Sequence, residues 1–159
     1  MESQSTAVGG EHDTLTCDID ALNALLRGEV AAVETYDQVI AKFAGQPQAV
    51  ELQRLRDEHT ESAAVLRERV RHFGGDPAEG SGIWGKVTAA ITGTAKILGP
   101  AMALATLKQG EEYGIGQYEN ALCDPEIDSD DKDLIRHRLL PRANAHVADL
   151  DRMINAVKK

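Results

Sequence analysis

Nothing in this 159-residue chain is long and apolar enough to cross a bilayer, and the polar opening Met1–Asp13 has neither the basic nor the apolar region of a secretory signal. A cytoplasmic protein with no membrane partner is expected. Cysteine is scarce: Cys17 and Cys123 are the only two, without a CxxC pair, which excludes a disulfide framework and a zinc ribbon. Basic residues are few as well, 17 against 26 acidic ones for a formal charge of -9, and they form no block. Nucleic acid is therefore not an expected partner, because affinity for a phosphate backbone comes from clustered cations. No alternating apolar pattern marks a strand, which leaves helices to build the core.

What the chain does have is four apolar stripes at helical spacing. Residues 1–15, rich in Gly, Ser, Thr and charge, read as a flexible tail; residues 16–159 read as one domain, since a chain of this length supports a single core. Thr16 or Asp18 caps a first helix over about 16–44, ended by Gly45-Gln46-Pro47. A second helix follows over about 47–73 and stops at Gly74-Gly75-Asp76-Pro77. The stretch 74–99 is a long crossover whose apolar spacing from Ile83 to Leu98 predicts a short amphipathic helix. Pro100 opens a third helix over 100–123, and the acidic run Asp128–Asp131 starts a fourth over 129–157, with Pro141 expected to kink it. The fold class is all-α: two helical hairpins joined by a long crossover, forming a four-helix bundle.

Each stripe is interrupted once by a residue that can bind a metal. Core positions seven apart run Leu22, Glu29, Tyr36, Phe43 in the first helix and Leu52, His59, Leu66, Phe73 in the second. The third gives Leu104, Glu111, Tyr118 and the fourth Leu139, His146, Met153. Moreover, Gly28-Glu29 and Tyr36 repeat at the same offset as Gly110-Glu111 and Tyr118. Glu29 and His59 stand at similar heights on either side of their turn, and a two-fold relation between hairpins would bring Glu111 and His146 to the same layer. Two carboxylates and a divalent cation sum to zero charge, which suits burial. The alternative is a metal-free polar layer of Glu, His and Tyr that fixes helix register. Gly28, Gly110, Gly114 and Gly116 allow close helix approach or a local bulge near the layer, or are simply tolerated. Glu58, Glu61 and Glu112 point away from the stripe and are expected in solvent.

These residues resemble the ferritin-like superfamily, in particular the rubrerythrin and bacterioferritin style of bundle. The paired Gly-Glu-(six residues)-Tyr carries the resemblance over residues 17–157, and Gly-Gly-Asp-Pro with Gly-Ser-Gly-Ile-Trp-Gly resembles a small bacterial branch of such bundles known as a domain of unknown function. The resemblance implies a Glu on each of helices one and three and a Glu-x-x-His pair on each of helices two and four, together holding two irons. This chain departs from that pattern: Arg56 and Ala143 stand three residues before His59 and His146, where carboxylates would be. Full di-iron oxidase or ferroxidase chemistry is accordingly not expected.

The leading functional reading is a ferritin-like metal-binding protein of iron or oxidative-stress handling with a reduced Glu2His2 site, Glu29, His59, Glu111 and His146 holding at most one iron, zinc or manganese ion. Tyr36, Tyr118, Ser62 and Asp149 are expected around those ligands. A metal-free structural or interaction bundle is the second reading, and a thiol redox protein built on Cys17 and Cys123 the third. The apolar crossover around Trp84 also makes a homodimer plausible.

Overall fold

The apolar stripes become helices where breakers are absent and stop where glycine and proline intervene. The computed structural model describes the backbone of residues 9–82 and 99–159, and side chains for 15, 16, 18–82 and 99–159. Helix α1 spans Gly9–Ile40 and tightens into a 3-10 turn over Ala41–Phe43. Helix α2 spans Gln48–His72, and α3 spans Pro100–Cys123 with its proline in the first turn, where no backbone donor is needed. The last rod is continuous in three parts: α4 over Ser129–Leu134, a π-helical turn over Ile135–Leu139, and α5 over Leu140–Val157. Among the described residues there is no strand, and no helix is long and apolar enough to cross a membrane.

Helix α1 packs along α2, α3 packs along α5, and α1 also lies against α3, so two hairpins face each other. Two apolar clusters result. One contains Leu22, Leu26, Leu66, Val70, Ile135 and Leu139; the other contains Val39, Phe43, Leu52, Leu55, Leu104 and Leu150. The polar residues at the central heptad positions lie in the layer between them. Val33, Ile40, Ile115, Leu122, Leu134 and Val157 are half-buried at the edges of these stripes, while Val39 takes a core position on α1.

Local chemistry explains the helix ends. The stop of α2 is a left-handed Gly74 (φ 79°), followed by a Gly75 amide that donates to the Val70 carbonyl at 3.0 Å. Gly75 is also pressed against α1: a Cβ there would lie 2.7 Å from Ile19 Cγ2. Asn23 then ties the following loop to α1, donating to the Asp76 carbonyl at 3.0 Å and accepting from the Ala78 amide at 2.8 Å.

Two expectations about the first helix are corrected. Helix α1 begins at Gly9, ahead of Thr16 and Asp18. Asp18 is instead buried in mid-helix, where its carboxylate accepts from the Asp128 amide at 3.0 Å. Asp128 in turn caps α4 by accepting from the Asp130 amide. Pro141, expected to kink the fourth helix, follows the π turn, in which the Leu140 amide reaches back to the Ile135 carbonyl. Proline removes one donor and crowds the carbonyl four residues earlier, and a widened turn absorbs both defects. The expected short helix within 83–98, Trp84 and the Cys17 side chain lie outside the described residues. Cys123 is a free, exposed thiol.

Burial sets the scale of the packing energy. Leu66 is fully buried whereas Val50 is 73% exposed. Leu66→Ala is expected to cost about 2–5 kcal/mol in urea unfolding, and Val50→Ala to stay within about 0.5 kcal/mol. Equal effects of the two substitutions would contradict the core as described.

Candidate metal centre

Four helices each deliver one polar side chain to the central layer because a seven-residue step returns to the same face of a packed helix. Glu29 comes from α1, His59 from α2, Glu111 from α3 and His146 from α5, all at most 7% exposed. His59 is clamped between both carboxylates: its Nδ1 lies 2.7 Å from Glu29 Oε2 and its Nε2 lies 2.8 Å from Glu111 Oε1. His146 Nδ1 lies 3.1 Å from the same Glu111 oxygen, and the two imidazole rings meet edge-on with centroids 4.8 Å apart.

Each tyrosine crosses to the other hairpin. The Tyr36 hydroxyl donates to Glu111 Oε1 at 2.6 Å, and the Tyr118 hydroxyl donates to Glu29 Oε1. The repeated Glu and Tyr therefore exchange partners across the bundle instead of bonding within their own helix, where a spacing of seven residues is two turns. Of the other side chains expected around the site, Ser62 donates to the Glu58 carbonyl and accepts from Arg142, while Asp149 pairs with Arg54 and Arg152. Neither hydrogen-bonds to the layer.

Glu58 corrects the expectation that it faces solvent. Its Oε2 lies 2.8 Å from His146 Nε2, and its side chain is only 27% exposed. Placed one residue before His59, it sits at the rim of the stripe, and a long side chain reaches inward from there toward α5. No linear motif announces that reach; it follows from how α5 crosses α2. Glu61 and Glu112 do lie in solvent, as expected. Arg56 turns outward to Asp37 and Asp57, so its charge does not enter the layer. His72 and His137 are exposed.

The electrostatics follow from this crowding. Burial pushes the His59 imidazole down, but the Glu111 and Glu29 carboxylates outweigh it and raise its pKa from 6.5 to about 10. Burial likewise pushes Glu111 up, and His59 with His146 more than reverses it, holding the carboxyl well below the usual range. Glu58 behaves similarly: burial raises it, but the bonds from His146 and Arg54 prevail and lower it. Burial together with the adjacent carboxylates, Glu111 for Tyr36 and Glu29 for Tyr118, drives both phenols well above their ordinary value. Near neutral pH the layer thus holds two uncharged phenols and a His59 imidazolium between two carboxylates. The proton on His59 supplies part of the positive charge that a metal ion would bring.

His59, Glu111 and His146 each offer a ligand atom, and these atoms lie within 4.8 Å of one another, so this group could hold a metal ion. Imidazole nitrogens and a carboxylate oxygen suit a borderline first-row divalent cation. All bonds to Glu111 go to Oε1; among the described residues Oε2 has no hydrogen-bond partner, leaving lone pairs for another donor or for an ion. Glu29 occupies the far nitrogen of His59, in the position of a carboxylate that orients a ligating imidazole.

An all-helical bundle with a metal-capable Glu/His layer across its core is the class that fold and site define. A family model described as Domain of unknown function (DUF2383) matches residues 18–124, and the chain belongs to that family. The matched span carries Glu29, His59 and Glu111 and ends before α5, which supplies His146. No curated protein and no solved structure shows significant similarity to the chain.

The pKa shifts fix a pH dependence for the protein freed of metal. His59, raised when folded, contributes stability fully present below about 6.5 and lost as pH rises toward about 10. Glu111, lowered when folded, contributes stability present above about 4.5 and lost on acidification. Urea unfolding of chelator-treated protein should thus show the layer's contribution greatest between those two values. His59→Gln should flatten the alkaline decline; an unchanged slope would refute the clamp.

Proposed function

We propose that this protein binds a single divalent metal ion in the central layer, through His59, Glu111 and His146, with Glu29 holding His59 in place from its other side. The observation that carries the reading is the convergence of three ligand atoms from three different helices at a buried point. Glu111 Oε2, which has no hydrogen-bond partner among the described residues, supports it by leaving lone pairs for a cation. Glu58, beside His146, adds a further carboxylate at the solvent side of the site.

Iron handling within a ferritin-like bundle is the finer form of this proposal. What supports it is the arrangement of two hairpins and the duplicated Gly-Glu-Tyr, both of which suit that superfamily. A two-iron centre is disfavoured by the outward Arg56 and by Ala143, neither of which supplies a carboxylate. The second reading, a metal-free layer that fixes helix register, is favoured by one specific observation: every polar group of the layer except Glu111 Oε2 already has a partner.

Protein purified without chelator should carry no more than one iron, zinc or manganese ion per chain by elemental analysis. Glu111→Gln should abolish binding, whereas Glu29→Gln should weaken it about 10–100-fold, as expected for an orienting partner. Binding must displace the His59 proton, so affinity should climb about tenfold per pH unit toward the imidazole pKa of about 10. Retention of no ion by the wild type after loading, or equal uptake by Glu111→Gln, would favour the metal-free reading.

A further inference from the structure

A buried imidazole N–H needs an acceptor, because it loses water on folding and an unmet donor is costly. His146 is 1% exposed, and its two nitrogens face different carboxylates: Nδ1 lies 3.1 Å from Glu111 Oε1, and Nε2 lies 2.8 Å from Glu58 Oε2. His59 is set in the same way, with Nε2 2.8 Å from that Glu111 oxygen and Nδ1 2.7 Å from Glu29 Oε2. Each ring thus has an inner nitrogen beside Glu111 and an outer nitrogen on a carboxylate of its own. Glu58 does not belong to the group of ligand atoms that could share an ion, so what its carboxylate meets at the layer is the outer nitrogen of His146.

The Glu58 carboxylate is itself fixed at both oxygens. While Oε2 faces His146, Oε1 accepts from Arg54 Nη1 at 2.7 Å, and Arg54 is braced in turn by donating through Nη2 to Asp149 Oδ2 at 2.5 Å. A chain of charged side chains therefore runs from Asp149 on α5 through Arg54 and Glu58 on α2 to His146. Asp149, expected beside the ligands, is connected to them at second remove. A carboxylate on the far nitrogen of an imidazole decides which nitrogen carries the proton, aims the ring and makes the near nitrogen a better donor to a metal. Glu29 does this for His59, and the distances give Glu58 the same relation to His146.

We propose that Glu58 is the positioning residue of His146: it accepts the Nε2 proton and commits Nδ1 to the ion, so that His59 ligates through Nε2 and His146 through Nδ1. This rests on the single-ion reading above, and the test separates the two. The full chain, stripped with chelator, is titrated with zinc in competition with a chromophoric chelator. Glu58→Ala should weaken zinc binding about 10–100-fold with the helical circular dichroism unchanged, and Glu58→Gln, which keeps an acceptor for the Nε2 proton, should recover part of that loss. Glu61→Ala removes the same charge from a side chain of α2 that is 60% exposed, and should leave the affinity unaltered because solvent and salt screen that position. Long-range proton–nitrogen NMR spectra of the zinc-loaded protein should show His146 protonated at Nε2 and His59 at Nδ1, with the His146 pattern alone disturbed in Glu58→Ala. Zinc on His146 Nε2, an equal loss in Glu61→Ala, or unaltered affinity in folded Glu58→Ala would overturn this role and leave the metal site standing. A wild type that takes up no zinc would overturn the site itself, and the role of Glu58 with it.

Discussion

Two carboxylates buried between apolar clusters are tolerable only if positive charge and hydrogen-bond donors meet them there. His59, held between Glu29 and Glu111 by both ring nitrogens, meets that need, and the layout of the layer depends on it. The clamp links α1, α2 and α3 through one imidazole. Leu and Val packing on either side keeps water out, which strengthens the attraction and makes an unpaired member costly. Removing one carboxylate would therefore disturb its neighbours as well: Glu111 Oε1 alone accepts from Tyr36 and lies within bonding distance of both histidines.

The duplicated sequence produces a layer that is only partly symmetric. Tyr36 and Tyr118 make equivalent crossed bonds to the two carboxylates, but the histidines differ. His59 touches both duplicated acids, whereas His146 touches Glu111 and Glu58. Position 145, which corresponds to Glu58, is alanine, so the second histidine draws its outer partner from α2. The consequence is a site with a partly exposed Glu58 carboxylate at one end and the more deeply buried Glu29, His59 and Tyr118 at the other. A separate polar knot secures the end of the bundle: Asp131, fully buried, accepts from Arg69, which lies with its guanidinium 5.3 Å from the Phe73 ring centroid. Nothing in the periodicity foretold that buried pair, since Asp131 reads as one more first-turn acid.

Legibility in the sequence followed burial periodicity closely. Glu29, His59, Glu111 and His146 stood out because each breaks an apolar stripe at a seven-residue position, and a side chain on the stripe has nowhere to go but the interior. The helix limits at 100–123 and 129–157 were readable from Pro100 and Asp128–Asp131 for the same local reason. Glu58 was not readable, because it sits at the edge of the stripe and its direction depends on a partner from α5. Likewise the start of α1 escaped detection: Asp18 looks like a cap until Asp128 arrives to claim its oxygen.

By itself the sequence determined the all-helical class, the positions of the four polar interruptions and the duplicated Gly-Glu-Tyr, because these rest on interactions within a few turns of one chain segment. The tertiary structure alone decided which tyrosine serves which glutamate, how far the His59 proton affinity rises, and that Gly28 and Gly110 border open space. Those properties belong to pairs of groups brought together from distant helices. Their energies depend on distance and on exclusion of water, and neither quantity exists until the helices pack.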